Sequence, residues 1–134
     1  MAQYLYRPSE PGQIRYVHVH GGERGDQLRL TLEVSHISRA PSYEALSYTW
    51  GDARNNGIVS VNGLEVSIRS NLHMALLAIR EARGSVILWV DALCISQDDL
   101  AEKSRQVQMI GRIFRGARQA VSYTHLTLPT IYSV

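Results

Sequence analysis

Apolar positions along the chain follow two periods. From Leu28 to Val34 they alternate, with Leu28, Leu30, Leu32 and Val34 on one side, which is the pattern of a strand with one buried face. Ile14 to His18 reads as another strand, and the connecting Gly21-Gly22-Glu23-Arg24-Gly25-Asp26 has the glycines and acids of a flexible link. Ser42 to Trp50 rises into a third strand that ends at Gly51-Asp52. Ile58 to Val61 and Leu64 to Ile68 flank Asn62-Gly63, the pair selected by a type I′ hairpin turn because both central residues need positive φ. Val59 and Val61 would then face Val66 and Ile68.

After the hairpin the period lengthens to that of a helix. Leu72, Ala75, Leu76 and Ile79 fall at i, i+3, i+4 and i+7, with Ser70 or Asn71 placed as a cap. Arg80 and Arg83 stand in the last turn, where cations favour the helix dipole, and Gly84 is the stop. Val86-Ile87-Leu88-Trp89-Val90 is continuously apolar, as in a strand covered on both faces. Strand, helix and strand in succession predict a parallel βαβ unit. A second helix, capped by Ser96 or Asp98 and running to about Ala117, is expected to bury Val107, Ile110, Phe114 and Ala117 and to wet Glu102, Lys103, Arg105 and Arg112. Ala120 to Tyr123 is the last strand candidate. The elements predict an α/β fold: a partial sheet with a parallel βαβ unit and an N-terminal antiparallel β hairpin region.

Composition narrows the function classes. The length of 134 residues suits one domain or a piece of a larger one, and 45% hydrophobic with 19% charged residues is ordinary for a globular protein. A net charge of +2, with bases scattered among acids, argues against nucleic acid as a partner. The single cysteine, Cys94, excludes an internal disulfide and a multi-cysteine zinc site. No run approaches the roughly 18 apolar residues of a membrane span, and the polar N-terminus lacks a signal-peptide core, so a soluble cytoplasmic protein without membrane contact is expected. From Ser122 onward there is no Asp, Glu, Lys or Arg. Residues 1–121 read as the domain, and 122–134 as an atypical tail, either foreign sequence such as a translated adapter or a natural hydrophobic terminus.

Several side chains are candidates for chemistry. If the strands ending at Trp50 and Val90 are parallel neighbours, Asp52 and Asp91 lie past carboxyl ends, the edge where open α/β sheets bind ligands. Trp50, Gly51, Asp52, Asp91, Cys94, Gln97 and Asp98 would then line one crevice as ligand or partner loops. The structural alternative is that Asp52 makes a turn, Asp91 fixes its loop through backbone hydrogen bonds and the aromatics are core. The five histidines, His18, His20, His36, His73 and His125, form no pair on one helical face, although His18 and His20 share a strand face, so no metal site is expected. Asp91, Asp98 and Asp99 suit helix capping better than magnesium. Cys94 as nucleophile needs a base and a depressed pKa, and no histidine is near in sequence. P-loop, dinucleotide-binding and nucleophile-elbow motifs are missing from the sequence.

Tyr43-Glu44-Ala45-Leu46-Ser47-Tyr48-Thr49-Trp50-Gly51-Asp52 and Leu88-Trp89-Val90-Asp91-Ala92-Leu93-Cys94-Ile95-Ser96-Gln97-Asp98-Asp99 resemble the two signature blocks of the fungal heterokaryon incompatibility (HET) domain, Y-E-A-L-S-Y-x-W-G and L-W-I-D-A-[IL]-C-I-N-Q-x-D. Glu102-Lys103-Ser104-Arg105-Gln106-Val107 is similar to the family's E-R-S-x-Q-V. Val90, Ser96 and Lys103 depart mildly from the pattern. The resemblance implies a module of fungal non-self recognition that triggers programmed cell death, working through protein partners or self-association. A fainter likeness to Toll/interleukin receptor (TIR) domains implies a flavodoxin-like sheet and, in the full-length protein, NAD as a possible substrate. Glycosidic cleavage at the ribose needs a carboxylate facing the developing positive charge. The likeness puts the TIR glutamate beyond Val121, leaving Asp52, Asp91 and Glu102 as catalytic candidates, with Glu44 a further substitute in principle. The competing reading is a non-catalytic protein-interaction module.

Overall fold

The computed structural model describes residues 10–48, 57–95, 99–123 and 130–133. The alternating segments pair first: β1 (Gln13–Val19) runs antiparallel to β2 (Arg29–His36), from Gln13 opposite His36 to Val19 opposite Leu30. After a single 3-10 turn at Ile37–Arg39 come β3 (Glu44–Tyr48), β4 (Gly57–Val61) and β5 (Leu64–Ile68). The Asn62-Gly63 turn closes the antiparallel β4/β5 hairpin with φ of 52° and 84°, as its type requires, and Val59 faces Val66 across it. The Asn62 side chain also accepts a hydrogen bond from the Leu32 amide at 2.9 Å, which ties the hairpin to β2.

Helix α1 (Ser70–Arg83) buries Leu72, Ala75, Leu76 and Ile79, the stripe read from the sequence, and stops at Gly84 with φ of 72°. Arg69 occupies its N-cap position, so the cap falls one residue before the expected Ser70 or Asn71. Strand β6 (Val86–Trp89) follows, then a short helix α2 (Asp91–Cys94), then α3 (Leu100–Gly116), β7 (Gln119–Tyr123) and β8 (Thr130–Ser133).

Among the described residues the strands form one mixed eight-stranded sheet in the order β5-β4-β2-β1-β6-β3-β7-β8. Its parallel heart is β6-β3-β7, with Glu44 opposite both Leu88 and Gln119. The fold is therefore α/β with an antiparallel N-terminal pair, as the patterning predicts. The parallel unit, however, joins β6 to β7 through α3 across the intervening β3. Strand β5, which precedes α1, lies at the far edge, separated from β6 by β4, β2 and β1. The hydrophobic core runs between sheet and helices and includes Ile14, Val17, Leu72, Leu76, Leu88, Trp89, Leu93 and Ile113.

Helix α3 turns a different face inward from the one its apolar residues suggest. Val107 is 52% exposed and Ala117 is buried as expected, whereas Glu102, Gln106 and Ile113 are buried in addition. Ile110 and Phe114 are half-buried, and Phe114 packs edge-to-face on Trp89 with centroids 5.9 Å apart. The rotation has a physical cause. Buried Arg15 on β1 needs a carboxylate, and Glu102 supplies it through paired hydrogen bonds to both terminal guanidinium nitrogens. Gln106, one turn later, donates to the Gln13 carbonyl at 2.8 Å, and the Tyr43 hydroxyl donates to the Ile113 carbonyl at 2.6 Å. Polar anchors thus set the angle of this helix.

Candidate functional site

Strands β3 and β6 are parallel neighbours, so the chain leaves both at the same edge of the sheet, as the crevice hypothesis requires. Of the residues expected there, Trp50, Gly51, Asp52, Gln97 and Asp98 lie outside the described residues. Asp91, Cys94 and Glu102 are described, and each is held by the fold.

Asp91 opens α2 directly after Val90 and is half-buried. Burial raises its carboxyl above the ordinary value of 3.8, opposed by hydrogen bonds from the backbone amides of Ala92 and of Asp91 itself. Those amide contacts are the loop-fixing role that the structural alternative assigns to it. Cys94, at the other end of α2, is fully buried, and its thiol is pushed up to about 12, chiefly by burial. The Val90 amide contact at 3.5 Å and the Arg15 charge oppose that shift, while the Asp91 charge adds to it. At neutral pH this thiol stays protonated and is no nucleophile.

Glu102 corrects the sequence reading most sharply. It was expected on the wet face of its helix, in a capping or dipole role, yet it is 1% exposed and locked to Arg15. The cap of α3 is Asp99, whose Oδ1 accepts from the Glu102 amide at 3.1 Å, rather than Ser96 or Asp98. A carboxylate held by a guanidinium inside the core is committed to packing and does not face a substrate. Among the described residues no group of three or more His, Cys, Asp and Glu side chains is set to hold a metal. His18 and His20 stack with centroids 4.3 Å apart and bond to Ser85 and Thr31, at 2.6 and 2.7 Å.

At the opposite edge, where the parallel strands begin, a second polar cluster escaped the sequence reading. Glu44 is 3% exposed; its Oε1 accepts from Arg83 and, at 2.7 Å, from Gln119 Nε2. Its Oε2 is buried without a hydrogen-bond partner among the described residues. Around it His18, Ser42, Ser85, Arg83 and Arg118 border a cleft of about 480 Å³. The one available signal was an acid placed between Tyr43 and Ala45, both buried. Arg80 was likewise read as a dipole cation. It is 5% exposed and donates to the carbonyls of Glu23, Asp26 and Gln27, so it pins the β1–β2 connection to α1.

Comparison with known proteins adds the family. The sequence profile of the family described as heterokaryon incompatibility protein (HET) matches residues 43–129. Heterokaryon incompatibility protein 6, OR allele, of Neurospora crassa is 35% identical over 109 residues, a match that covers 72% of this chain and 16% of that protein. The chain therefore spans less than a fifth of that relative's length. No solved structure matches the chain.

Proposed function

The chain belongs to the heterokaryon incompatibility (HET) family, and on that premise we propose that it is a signalling module of fungal non-self recognition, which acts in the cytoplasm and triggers programmed cell death through protein partners or self-association. The observation that carries this reading is the parallel pairing of β3 with β6, because it brings the exits of both signature segments to one edge of a rigid sheet. Loops displayed from such an edge suit partner recognition. The described side chains nearby favour recognition over covalent chemistry: Glu102 is neutralised by Arg15, and Cys94 is a buried, protonated thiol.

Inducible expression in fungal hyphae tests the proposal, with viability and self-association measured together. Wild type should kill, and Asp91→Arg, which places a bulky cation beside the exit of β6, should stop killing and association while the protein stays folded. Killing by the folded variant at the wild-type rate would refute the contact surface. Absence of killing by wild type would refute the death role.

One observation favours a second reading, cleavage of NAD by the full-length protein: the half-buried carboxyl of Asp91, raised by burial past the carboxyl end of β6, is the kind of perturbed group that active sites use. Loss of NAD in lysates expressing the full-length protein, abolished by Asp91→Asn, is the expected result. Unchanged NAD in those lysates would remove the reading.

A further inference from the structure

Helix α3 presents an amphipathic outer face. Leu100 and Val107, 78% and 52% exposed, stand about two helical turns apart, so they lie in one line along the outer surface. Phe114 is the next step of that line and turns under to meet the edge of Trp89. The line points outward because Glu102 and Gln106 are drawn in, the one to Arg15 and the other to the Gln13 carbonyl. The anchors that orient the helix therefore leave part of its apolar stripe in water.

Cations flank that line on both sides. Helical spacing puts Lys103 to one side of Val107 and Arg112 and Arg115 to the other, and all three are exposed. A side chain at Gly111 would meet Arg115 Nη1 at 3.2 Å, so the glycine gives the arginine arm room to lie back along the helix beside the apolar line. Arg118, exposed just past the helix, extends the basic side. From Leu100 to Arg118 the sequence holds five bases and one acid, and that acid is Glu102, neutralised by Arg15 inside the core. Lys103, Arg112, Arg115 and Arg118 make no ion pair among the described residues. Residues 1–99 carry nine bases and eleven acids, so the small net charge of the whole chain conceals one strongly positive surface.

We propose that the outer face of α3 docks on an anionic membrane surface, with Leu100 and Val107 entering the headgroup boundary and Lys103, Arg112, Arg115 and Arg118 meeting the lipid anions. An apolar line with basic flanks is the pattern of helices that lie in the plane of a membrane interface. A nucleic-acid backbone would satisfy the cations and set Leu100 and Val107 against phosphate. An acidic protein would need carboxylates on both sides of an apolar groove, whereas an anionic bilayer supplies apolar depth and negative charge over a flat area. No described helix is long and apolar enough to cross a membrane, so the contact is peripheral. It needs neither Asp91 nor the exits of the signature segments, so it stands or falls independently of the function proposed above.

The test is sedimentation of the full chain with vesicles of phosphatidylcholine alone and of phosphatidylcholine with about one third phosphatidylserine. The chain should bind the anionic vesicles and not the neutral ones, and should bind at least about tenfold more weakly when salt rises from about 0.1 to 0.5 M. Lys103→Glu with Arg115→Glu should weaken binding by about tenfold or more. Arg29→Glu with Arg39→Glu makes the same change of net charge away from α3 and should stay within about threefold of wild type. Leu100→Ser with Val107→Ser should weaken binding by about fivefold or more and keep the salt dependence. All six positions are exposed, so each variant should keep the wild-type Tm and report on binding alone. No sedimentation with the anionic vesicles would overturn the proposal, and retention by polyglutamate or duplex DNA instead would make the partner an acidic protein or a nucleic acid. Wild-type binding by the Leu100 and Val107 double variant would also overturn it, leaving a non-specific polyanion surface. Equal losses in the Arg29 and Arg39 double variant would do the same, leaving net charge alone as the cause.

Discussion

Glu102→Leu removes the carboxylate that Arg15 was buried against. Both side chains are 2% exposed, so the guanidinium left behind cannot turn to solvent without opening the contact between β1 and α3. Breaking a buried pair from one side costs about 3–5 kcal/mol, because the remaining charge is desolvated and uncompensated. Single domains are stable by only about 5–15 kcal/mol, so this one change should consume a large part of the total. Near the midpoint of thermal unfolding, about 1 kcal/mol corresponds to a few degrees for a domain of this size, which puts the expected fall in Tm at about 10–20 °C. Replacing both partners, as in Arg15→Met with Glu102→Leu, should recover most of the loss, since a packed apolar pair of similar volume often matches a buried ion pair. The exposed pair Arg24 and Glu81, at 85% and 61% side-chain exposure, is the internal control, and Glu81→Ala should cost less than about 1 kcal/mol. Urea unfolding of wild type, Glu102→Leu, Arg15→Met, the double variant and Glu81→Ala measures the set. Strictly additive single losses in the double variant, or a loss below about 1 kcal/mol for Glu102→Leu, would refute the claim that this pair orients α3.

Three further outcomes are expected. Cys94, with its thiol pushed up to about 12 and no exposure, should react with a thiol reagent only as fast as the protein unfolds; rapid labelling under native conditions would contradict its burial. Asp91 has its pKa raised in the fold, so the native state holds the proton more tightly than the unfolded chain and gains stability as pH falls towards 3.8. The Asp91→Asn protein should lack that gain, and denaturant midpoints across this acidic window should show it, with the opposite slope refuting the assignment. His73 has its pKa lowered below 6.5, first by burial and then by Arg80, so stability is complete above 6.5 and declines as pH falls through that value, where the unfolded chain takes up the proton first. His73→Gln should flatten that decline, read as the difference between the two proteins at pH values on either side.

Much of the secondary structure was legible in local pattern. Alternation located β2, the Asn62-Gly63 pair fixed the β4/β5 hairpin, and the helical spacing of Leu72, Ala75, Leu76 and Ile79 identified both α1 and its buried face. The parallel placement of β3 beside β6, and with it the meeting of the two signature segments, was also within reach, since the continuous apolar run of β6 marks a strand at the heart of an α/β sheet and both segments end in acids. These features depend on steric and solvation preferences that act over a few residues.

Where the charged side chains lie was decided by the tertiary structure. Glu102, Arg80 and Glu44 each look solvent-facing or merely local in the sequence, and each is buried by a partner far along the chain: Arg15 for Glu102, the carbonyls of residues 23, 26 and 27 for Arg80, and Arg83 with Gln119 for Glu44. Periodicity reports which residues avoid water, and it assumes that a charge prefers water. A charge whose partner arrives only through folding breaks that assumption, since the ion pair or hydrogen bond offsets the desolvation that the sequence pattern counts against it. For the same reason local pattern set the strands and α1, while the face presented by α3, the hold on the β1–β2 connection and the cleft around Glu44 had to await the whole fold.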